Sequence, residues 1–471
     1  MQLQERIDLK KADRNELYCL EPPFPRTNFL IETSNACNHK CIFCAYQKMT
    51  RKVNMINPET VTRVLQQAYD LGTREVGLYA TGEPFLVKEL PDYVAKAKEI
   101  GYEYVYLTSN GAPATPERIR AVVDAGVDSI KFSINAPERE LYEFIHGYDD
   151  FDLVMENLKY LNQYRQESGK KYKIFVTGIL TRFTEYMKDE FQRVFGNLAD
   201  EIVFKNVYNQ GGYMHEIEGL LKCYSDDESF RRCNLPFDAI CVTCEGYLSV
   251  ENADYENMLV VADLNKVNLK EGWYGENMKR VRQAFIDDKL DGLVCDGCVH
   301  HEIRPSSPVM PELAARQSLD FSDSVVADRI NKFNPPKLVY VPMVADILHP
   351  GHINIIKEAG KYGNVMVGLY SDEAVKTYKK PPTMSYEMRK TILENVKGVS
   401  YVVKQNVKDY EPNLRKFKPD FMVHGTDWRT GPLAEVRARA IATMGEWGGE
   451  VIEPEYTAGV SSTAIKQKME N

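Results

Sequence analysis

Short apolar runs alternate with amphipathic stretches from residue 28 onward, and that alternation sets the expected fold. The runs NFLIET (28–33), EVGLYA (75–80), YVYLTS (104–109), SIKFSI (129–134), KIFVTGI (173–179) and EIVFKNV (201–207) have the length and composition of strands. Between them lie helical patterns such as PETVTRVLQQAYDLG and DLVMENLKYLNQY. Six strand–helix repeats predict a parallel sheet with helices outside it, and six are too few to close an eight-fold barrel. The fold class is α/β, with a partial (β/α)6 barrel expected over residues 1–207. In such folds the chemistry sits at the C-terminal ends of the strands.

The pattern changes at residue 208. Residues 208–303 are rich in Cys and turn residues, and LSVENADYENMLVV reads as short strands in a small extension. RPSSPVMPEL then marks a linker, expected over 304–336, which ARQSLDFSDSVVADRINKFNPP continues with room for one helix. A second α/β pattern fills 337–471. Its strands are KLVYVPMV, VMVGLYS, VSYVVK, DFMVHG and EVIEP, each separated by a helix, which predicts a Rossmann-like domain.

Composition narrows the class. The 471 residues are 44% hydrophobic and 27% charged, the balance of a soluble globular protein. A net charge of −9 argues against nonspecific binding to nucleic acid or to an anionic membrane. No apolar run approaches the ~20 residues of a membrane span, and the charged start MQLQERIDLKKADRNELY lacks a signal-peptide core. A cytoplasmic protein is expected. Ten cysteines in that compartment point to metal rather than disulfides. Eight are grouped: Cys37, Cys41 and Cys44; Cys233, Cys241 and Cys244; Cys295 and Cys298.

The first group, CNHKCIFC, directly follows the first strand. Three thiols are one short of a closed zinc site. They can instead hold three irons of a [4Fe–4S] cube and leave the fourth iron open, with Phe43 supplying an aromatic face. The motif C-x3-C-x2-C resembles that of radical S-adenosylmethionine (radical SAM) enzymes. The resemblance implies that the open iron binds SAM and that reduction yields a 5′-deoxyadenosyl radical which abstracts a substrate hydrogen. It also implies an external one-electron donor, a flavodoxin or ferredoxin. Thr81, Gly82, Glu83 and Pro84, after the second strand, look like the family's GGEP segment, with Thr81 in place of the first Gly. Ser109 and Asn110 after the third strand, and Ser133 and Asn135 after the fourth, resemble family positions that contact SAM. TGIL (177–180) is placed by the same likeness near the adenine.

The later cysteines resemble the twitch or SPASM extension of the same enzymes, which carries auxiliary [4Fe–4S] clusters. Two C-x2-C pairs can equally build a zinc ribbon. Cys233 and Gly246 fit the family pattern, but its next ligand position falls on Glu251. Either Cys241 or Cys244 then supplies the missing thiolate, or Glu251 itself ligates. Five thiols suffice for one auxiliary cluster and not for two.

The third constellation is ADILHPGH (345–352), which follows a strand and opens a helix. A helix N-terminus offers free N–H groups and a positive dipole end to phosphate, and His349 and His352, three apart, face one side of the turn. With YTAGVSSTAIK (456–466) this resembles the HxGH and RTxGISTT motifs of the cytidylyltransferases that make CDP-glycerol and CDP-choline. Tyr456 replaces the Arg of the second motif. On this likeness His349, His352, Lys379, Lys380 and Arg389 hold the triphosphate. Asp346, Gly351, Asp427, Trp428, Ser461, Ser462 and Thr463 border CTP, with Mg2+ neutralising its charge. The likeness is greatest to domains that activate small phosphonates such as 2-hydroxyethylphosphonate.

Two catalytic regions in one chain imply consecutive steps on one small phosphonate or polyol phosphate: CMP transfer from CTP, and radical abstraction of hydrogen from the CMP-activated form. The alternatives are a cytidylyltransferase with a structural iron–sulfur part, and a radical SAM dehydrogenase or peptide maturase. The roughly thirty residues before Cys37 are too few for a peptide-leader module, which counts against a maturase. Relatives of the second domain are often dimers, so a homodimer is left open.

Overall fold

The structure, a computed structural model, describes residues 15–181, 184, 187–214, 233–300, 304–319, 326, 329, 337–430, 433–455 and 465. The chain divides into two compact units, Met1–Phe333 and Asn334–Asn471.

The first unit is built on six parallel strands in the order β6-β5-β4-β3-β2-β1. They are β1 (Phe29–Ile31), β2 (Glu75–Gly77), β3 (Tyr104–Ser109), β4 (Ser129–Ser133), β5 (Lys173–Leu180) and β6 (Glu201–Asn206). All six expected strands are present. The intervening helices are α1 (Pro58–Asp70), α2 (Leu90–Ile100), α3 (Pro116–Asp124), α4 (Arg139–His146), α5 (Phe151–Ser168) and α6 (Lys188–Phe195). α1 shows why they form where they do. Asn57 caps it by accepting the N–H of Glu59, Pro58 opens the first turn, and Val61, Val64, Leu65 and Ala68 are buried along one stripe. Such a cap contributes about 1 kcal/mol, so the apolar stripe, not the cap, fixes the helix on the sheet.

The Cys-rich region does not form a separate body. Its first strand, β7 (Ile240–Val242), pairs parallel with β1 in the register Leu30↔Cys241. The strands β8 (Tyr247–Ser249) and β9 (Val260–Asp263) continue the sheet antiparallel to nine strands. Sequence pattern anticipated β8 and β9 but not the three-residue β7. The helices α7 (Leu235–Asp238), α8 (Leu269–Trp273), α9 (Glu276–Ile286) and α10 (Val294–His300) complete the region. Residues 304–319, expected to begin a linker, bond to the first unit instead. Val309 N–H donates to Met258 O at 2.9 Å and Ala315 N–H to Glu256 O at 2.9 Å. The Arg304 guanidinium pairs with Asp296 at 2.9 Å.

The second unit is a five-stranded parallel sheet in the order β12-β11-β10-β13-β14, with β10 (Leu338–Met343), β11 (Asn364–Tyr370), β12 (Tyr401–Gln405), β13 (Phe421–Val423) and β14 (Glu450–Ile452). Its helices are α11 (Pro350–Ala359), α12 (Asp372–Lys376), α13 (Tyr386–Glu394), α14 (Glu411–Phe417) and α15 (Ala434–Gly445). The core strands read as continuous apolar runs, because helices cover both faces. β10 pairs with β11 on one side and β13 on the other. The strand order reverses there, and in open α/β sheets ligands bind at that crevice. No helix of the described residues is long and apolar enough to cross a membrane.

Candidate functional site

The loop 37–44 leaves the end of β1 and is held from three sides. Lys40 N–H and Ile42 N–H donate to His146 O (3.0 Å) and Ile145 O (2.9 Å) at the end of α4. Cys37 N–H donates to the Tyr46 hydroxyl at 3.1 Å. Gln47 Nε2 donates to Cys41 O at 2.9 Å. Cys37, Cys41 and Cys44 lie close enough for their charges to act on one another. Burial pushes all three thiols up, Cys37 to about 12. Without a cation such thiols keep their protons, and a thiophilic metal centre is what makes three buried thiolates stable together. The donor set therefore fits an iron–sulfur cluster. Tyr255 OH lies 3.4 Å from Cys44 Sγ, and Asn110 Nδ2 lies 4.0 Å from Cys37 Sγ. Phe43 is half-buried in the same loop.

The TGEP segment meets this loop from β2. Glu83 N–H donates to Ala36 O at 2.7 Å. A Cβ on Gly82 would stand 2.2 Å from Ser34 O and 2.6 Å from Ala36 O, so only glycine allows the approach. The buried Glu83 carboxylate accepts from Ser109 Oγ (2.9 Å), Asn110 N–H (2.7 Å) and Phe85 N–H (3.0 Å). It thus ties the ends of β2 and β3 together, and Pro84 opens the buried turn that follows. Thr81 bonds to Glu32, which also receives Arg51 Nη2 at 2.7 Å and Cys244 N–H at 2.9 Å. Ser133 closes β4, and Asn135 adopts a left-handed φ of 63° that Asn tolerates. Asn135 bridges to β5 by donating its N–H to Thr177 O at 3.1 Å and accepting from Ile179 N–H at 3.2 Å.

Sequence spacing missed a buried polar chain beside Cys41. His146 Nε2 donates to Ile134 O at 2.7 Å. Its Nδ1 is therefore the acceptor facing His39 Nδ1 at 3.1 Å, with Cys41 Sγ at 3.5 Å. His39 Nε2 pairs with Asp150 at 2.9 Å, and Asp150 also accepts Tyr142 OH at 2.8 Å. Burial, reinforced by His39, holds His146 down to about 3, so it is neutral. More than 100 residues separate His146 from the loop it supports, and no local signal marks it.

Of the later cysteines, Cys295 and Cys298 share one face of α10 and Cys233 joins them. Cys244 does not. Its thiol lies with the Glu32 and Glu245 carboxylates, and Asn54 Nδ2 donates to its carbonyl at 3.1 Å. Cys241 sits within β7, opposite Leu30 and Ser249.

In the second unit the loop after β10 passes through Ala345, at a left-handed φ of 52°, before α11 opens at Pro350. His349 caps the helix: its Nδ1 accepts Gly351 N–H at 3.1 Å, while His352 Nδ1 accepts His349 N–H at 3.4 Å. Burial lowers both imidazoles, His352 to about 4. Each ring is neutral with Nδ1 used as acceptor, so each carries its proton on Nε2. The pair presents two N–H donors at a helix N-terminus. The ammonium charge of the exposed Lys379 acts on His352. Lys380 beside it is also exposed.

Three residues expected at CTP or its triphosphate have partners within the chain. Arg389 is fully buried and spends its donors on Met384 O (3.1 Å), Val344 O (2.5 Å), Tyr370 O (2.9 Å) and Asp372 (2.5 Å). It clips the ends of β10 and β11 to the lysine loop. Asp346 Oδ1 accepts Thr383 N–H (2.6 Å) and Met384 N–H (3.0 Å), pinning the same loop. Trp428 is buried, donates Nε1 to Glu453 at 2.7 Å, and lies stacked under His424 at 4.1 Å. His424, absent from the expected contacts, is the ring that covers it. Asp427 is exposed, 3.6 Å from His424 Nδ1. Ser461, Ser462 and Thr463 lie outside the described residues.

Two family profiles match separate stretches of the chain. A profile of the radical SAM superfamily matches residues 31–193, and a cytidylyltransferase-like profile matches residues 344–468. A probable GTP 3′,8-cyclase of Saccharolobus solfataricus is 32% identical over 135 residues, which is 29% of this chain and 43% of that protein. The chain thus spans less than half of that relative's length. Among solved structures, BtrN in complex with AdoMet and 2-DOIA aligns over 62% of this chain and 98% of its own, at 16% identity and a TM-score of 0.40. A lipopolysaccharide core biosynthesis protein from Thermoplasma volcanium aligns over 26% of this chain and 97% of its own, at 24% identity and a TM-score of 0.23.

Proposed function

From a radical SAM domain and a cytidylyltransferase-like domain in one enzyme chain, we propose a bifunctional enzyme that works twice on one small molecule. The second unit transfers CMP from CTP to a small phosphonate of the 2-hydroxyethylphosphonate kind, or to a polyol phosphate. An acceptor oxygen attacks the α-phosphorus, its bond to the β-phosphate oxygen breaks, and pyrophosphate leaves. The Nε2–H groups of His349 and His352 donate to phosphate oxygens as charge builds on them. Lys379 and Lys380 add positive charge, and Mg2+ enters with the triphosphate. Arg389 and Asp346 act by holding the lysine loop at the strand ends.

The first unit acts on the CMP-activated product, with the nucleotide as its handle. Cys37, Cys41 and Cys44 would hold an iron–sulfur cluster that, with SAM and an electron from a flavodoxin or ferredoxin, would supply hydrogen-atom abstraction there. Gly82 lets the TGEP backbone lie against the thiol loop, and Glu83 orients Ser109 and Asn110 toward it. A single auxiliary [4Fe–4S] cluster on the later cysteines belongs to the same reading.

The observation that carries it is the pair of neutral histidines offering Nε2–H donors at the switch point, in one chain with the three-thiol loop. The test is an anaerobic incubation with CTP, SAM, reductant and a panel of phosphonates, polyol phosphates and GTP, read by mass spectrometry. The expected result is a CMP adduct, with 5′-deoxyadenosine forming only when that adduct is present. Adducts with phosphates alone would remove the phosphonate assignment. CMP transfer that never yields deoxyadenosine would leave the iron–sulfur part structural. Deoxyadenosine formed with GTP alone would replace the substrate class.

A further inference from the structure

A lysine outside every sequence motif stands just past the end of β12. Lys408 lies in a loop that is held from two sides. The buried Gln405 donates Nε2 to Val407 O (2.7 Å) and to Asp409 O (2.6 Å). The Tyr370 hydroxyl, from the end of β11, donates to Lys408 O at 3.2 Å. Asp409, the next residue, is spent on Arg439 at 2.7 Å. Among the described residues the half-buried Lys408 ammonium has no ion-pair partner. It lies instead 5.7 Å from the centroid of the Tyr378 ring.

Lys379 Nζ lies 5.4 Å from the centroid of the same ring. Two ammonium groups from different loops thus converge on one tyrosine. The ring attracts each of them, but they repel one another where water is partly excluded. An anion that meets both removes the repulsion. Tyr378 also ties the pair to the HPGH turn. Its ring centroid is 5.7 Å from that of Tyr370, and Tyr370 O accepts Arg389 Nη2 at 2.9 Å. The same guanidinium donates to Val344 O at 2.5 Å, on the stretch that leads to His349. The sheet order adds the side: β11 and β12 lie on one side of β10, and β13 on the other. With the triphosphate at the switch point between β10 and β13, the ends of β11 and β12 are left for the molecule that attacks it. That molecule carries a tetrahedral oxyanion and approaches a triphosphate of the same sign, so it needs cations of its own.

We propose that Lys408, with Lys379, binds the phosphonate or phosphate group of the acceptor and so selects which small molecule receives CMP. The inference rests on the CMP-transfer reading given under Proposed function.

Steady-state kinetics of the full chain test it, with CTP against 2-hydroxyethylphosphonate in one arm and glycerol 3-phosphate in the other. Lys408→Met should raise the KM for whichever acceptor the parent uses by roughly ten- to hundredfold, with kcat and the KM for CTP nearly unchanged. Lys408→Arg should keep most of the affinity, because the charge remains. Lys404→Met, at an exposed lysine within β12, should match the parent. Calorimetric titration of the same acceptor into the parent and Lys408→Met, each loaded with an unreactive CTP analogue, should show the same loss, and circular dichroism checks that each variant folds. An acceptor KM in Lys408→Met equal to the parent's, or a rise confined to the KM for CTP, overturns the role of Lys408 while CMP transfer stands. A parent that transfers CMP to neither acceptor overturns the CMP-transfer reading itself.

Discussion

His349 and His352 stand with ring centroids 4.0 Å apart, each turning Nδ1 back to a main-chain N–H of the same helix start. The arrangement fixes both tautomers before any ligand arrives. His352→Ala should cut CMP transfer by roughly 10²–10³ in kcat, with a smaller change in KM for CTP. Steady-state kinetics with the preferred acceptor measures it.

The same pair sets a pH dependence. The folded-state value of His352 is lowered to about 4, chiefly by burial, below the ~6.5 of an unfolded chain. Between these values the unfolded state binds more protons, so stability rises with pH across that window and is lost as pH falls through it. The full effect is about 3 kcal/mol at most. The thermal unfolding midpoints at pH 7 and pH 5 should differ more in the parent than in His352→Asn.

Arg389 and Lys379 should separate stability from activity. Arg389→Lys forfeits most of four hydrogen bonds at the ends of β10 and β11 and should lower stability by about 3–5 kcal/mol. Lys379→Ala, at an exposed position, should leave the melting temperature unchanged and weaken CMP transfer. Equal losses of melting temperature in both variants would argue against this division of roles.

Gly82→Ala places a Cβ against the main chain of residues 34–36, which cannot swing aside as a side chain would. Its expected outcome is a lower iron content after reconstitution. Glu83→Gln replaces a carboxylate oxygen that accepts a hydrogen bond with a donor NH2. Leaving one buried partner unpaired costs about 1–3 kcal/mol. Equilibrium binding should show weaker SAM affinity at unchanged iron content.

Arg51 joins Glu32 (2.7 Å), Glu245 (3.1 Å) and Asn257 (2.9 Å) in the interior of the first unit. Arg51→Ala strands two carboxylates and should destabilise that unit by about 3–5 kcal/mol. Adding Glu32→Gln should recover part of the loss, because one stranded charge is gone. Denaturant unfolding of both variants tests the coupling.

Local pattern was enough for most of the fold. All eleven expected parallel strands are present, because each is an apolar run with a helical stretch after it. The thiol loop, the TGEP segment and the HPGH turn were legible for the same reason: their chemistry is carried by residues a few positions apart. β7 escaped because three residues make no period. They become a strand only through pairing with β1, about 210 positions upstream.

What the chain wrote locally is its strand–helix alternation, its contiguous motifs, and three thiols after the first strand. Tertiary structure decided which long-range partners those motifs receive. It set His146 against Cys41, gave Arg389 the backbone carbonyls at the ends of β10 and β11, and put His424 over Trp428. Each depends on bringing distant segments together in a low-dielectric interior. There the need to satisfy every buried donor and charge selects partners that sequence spacing cannot see.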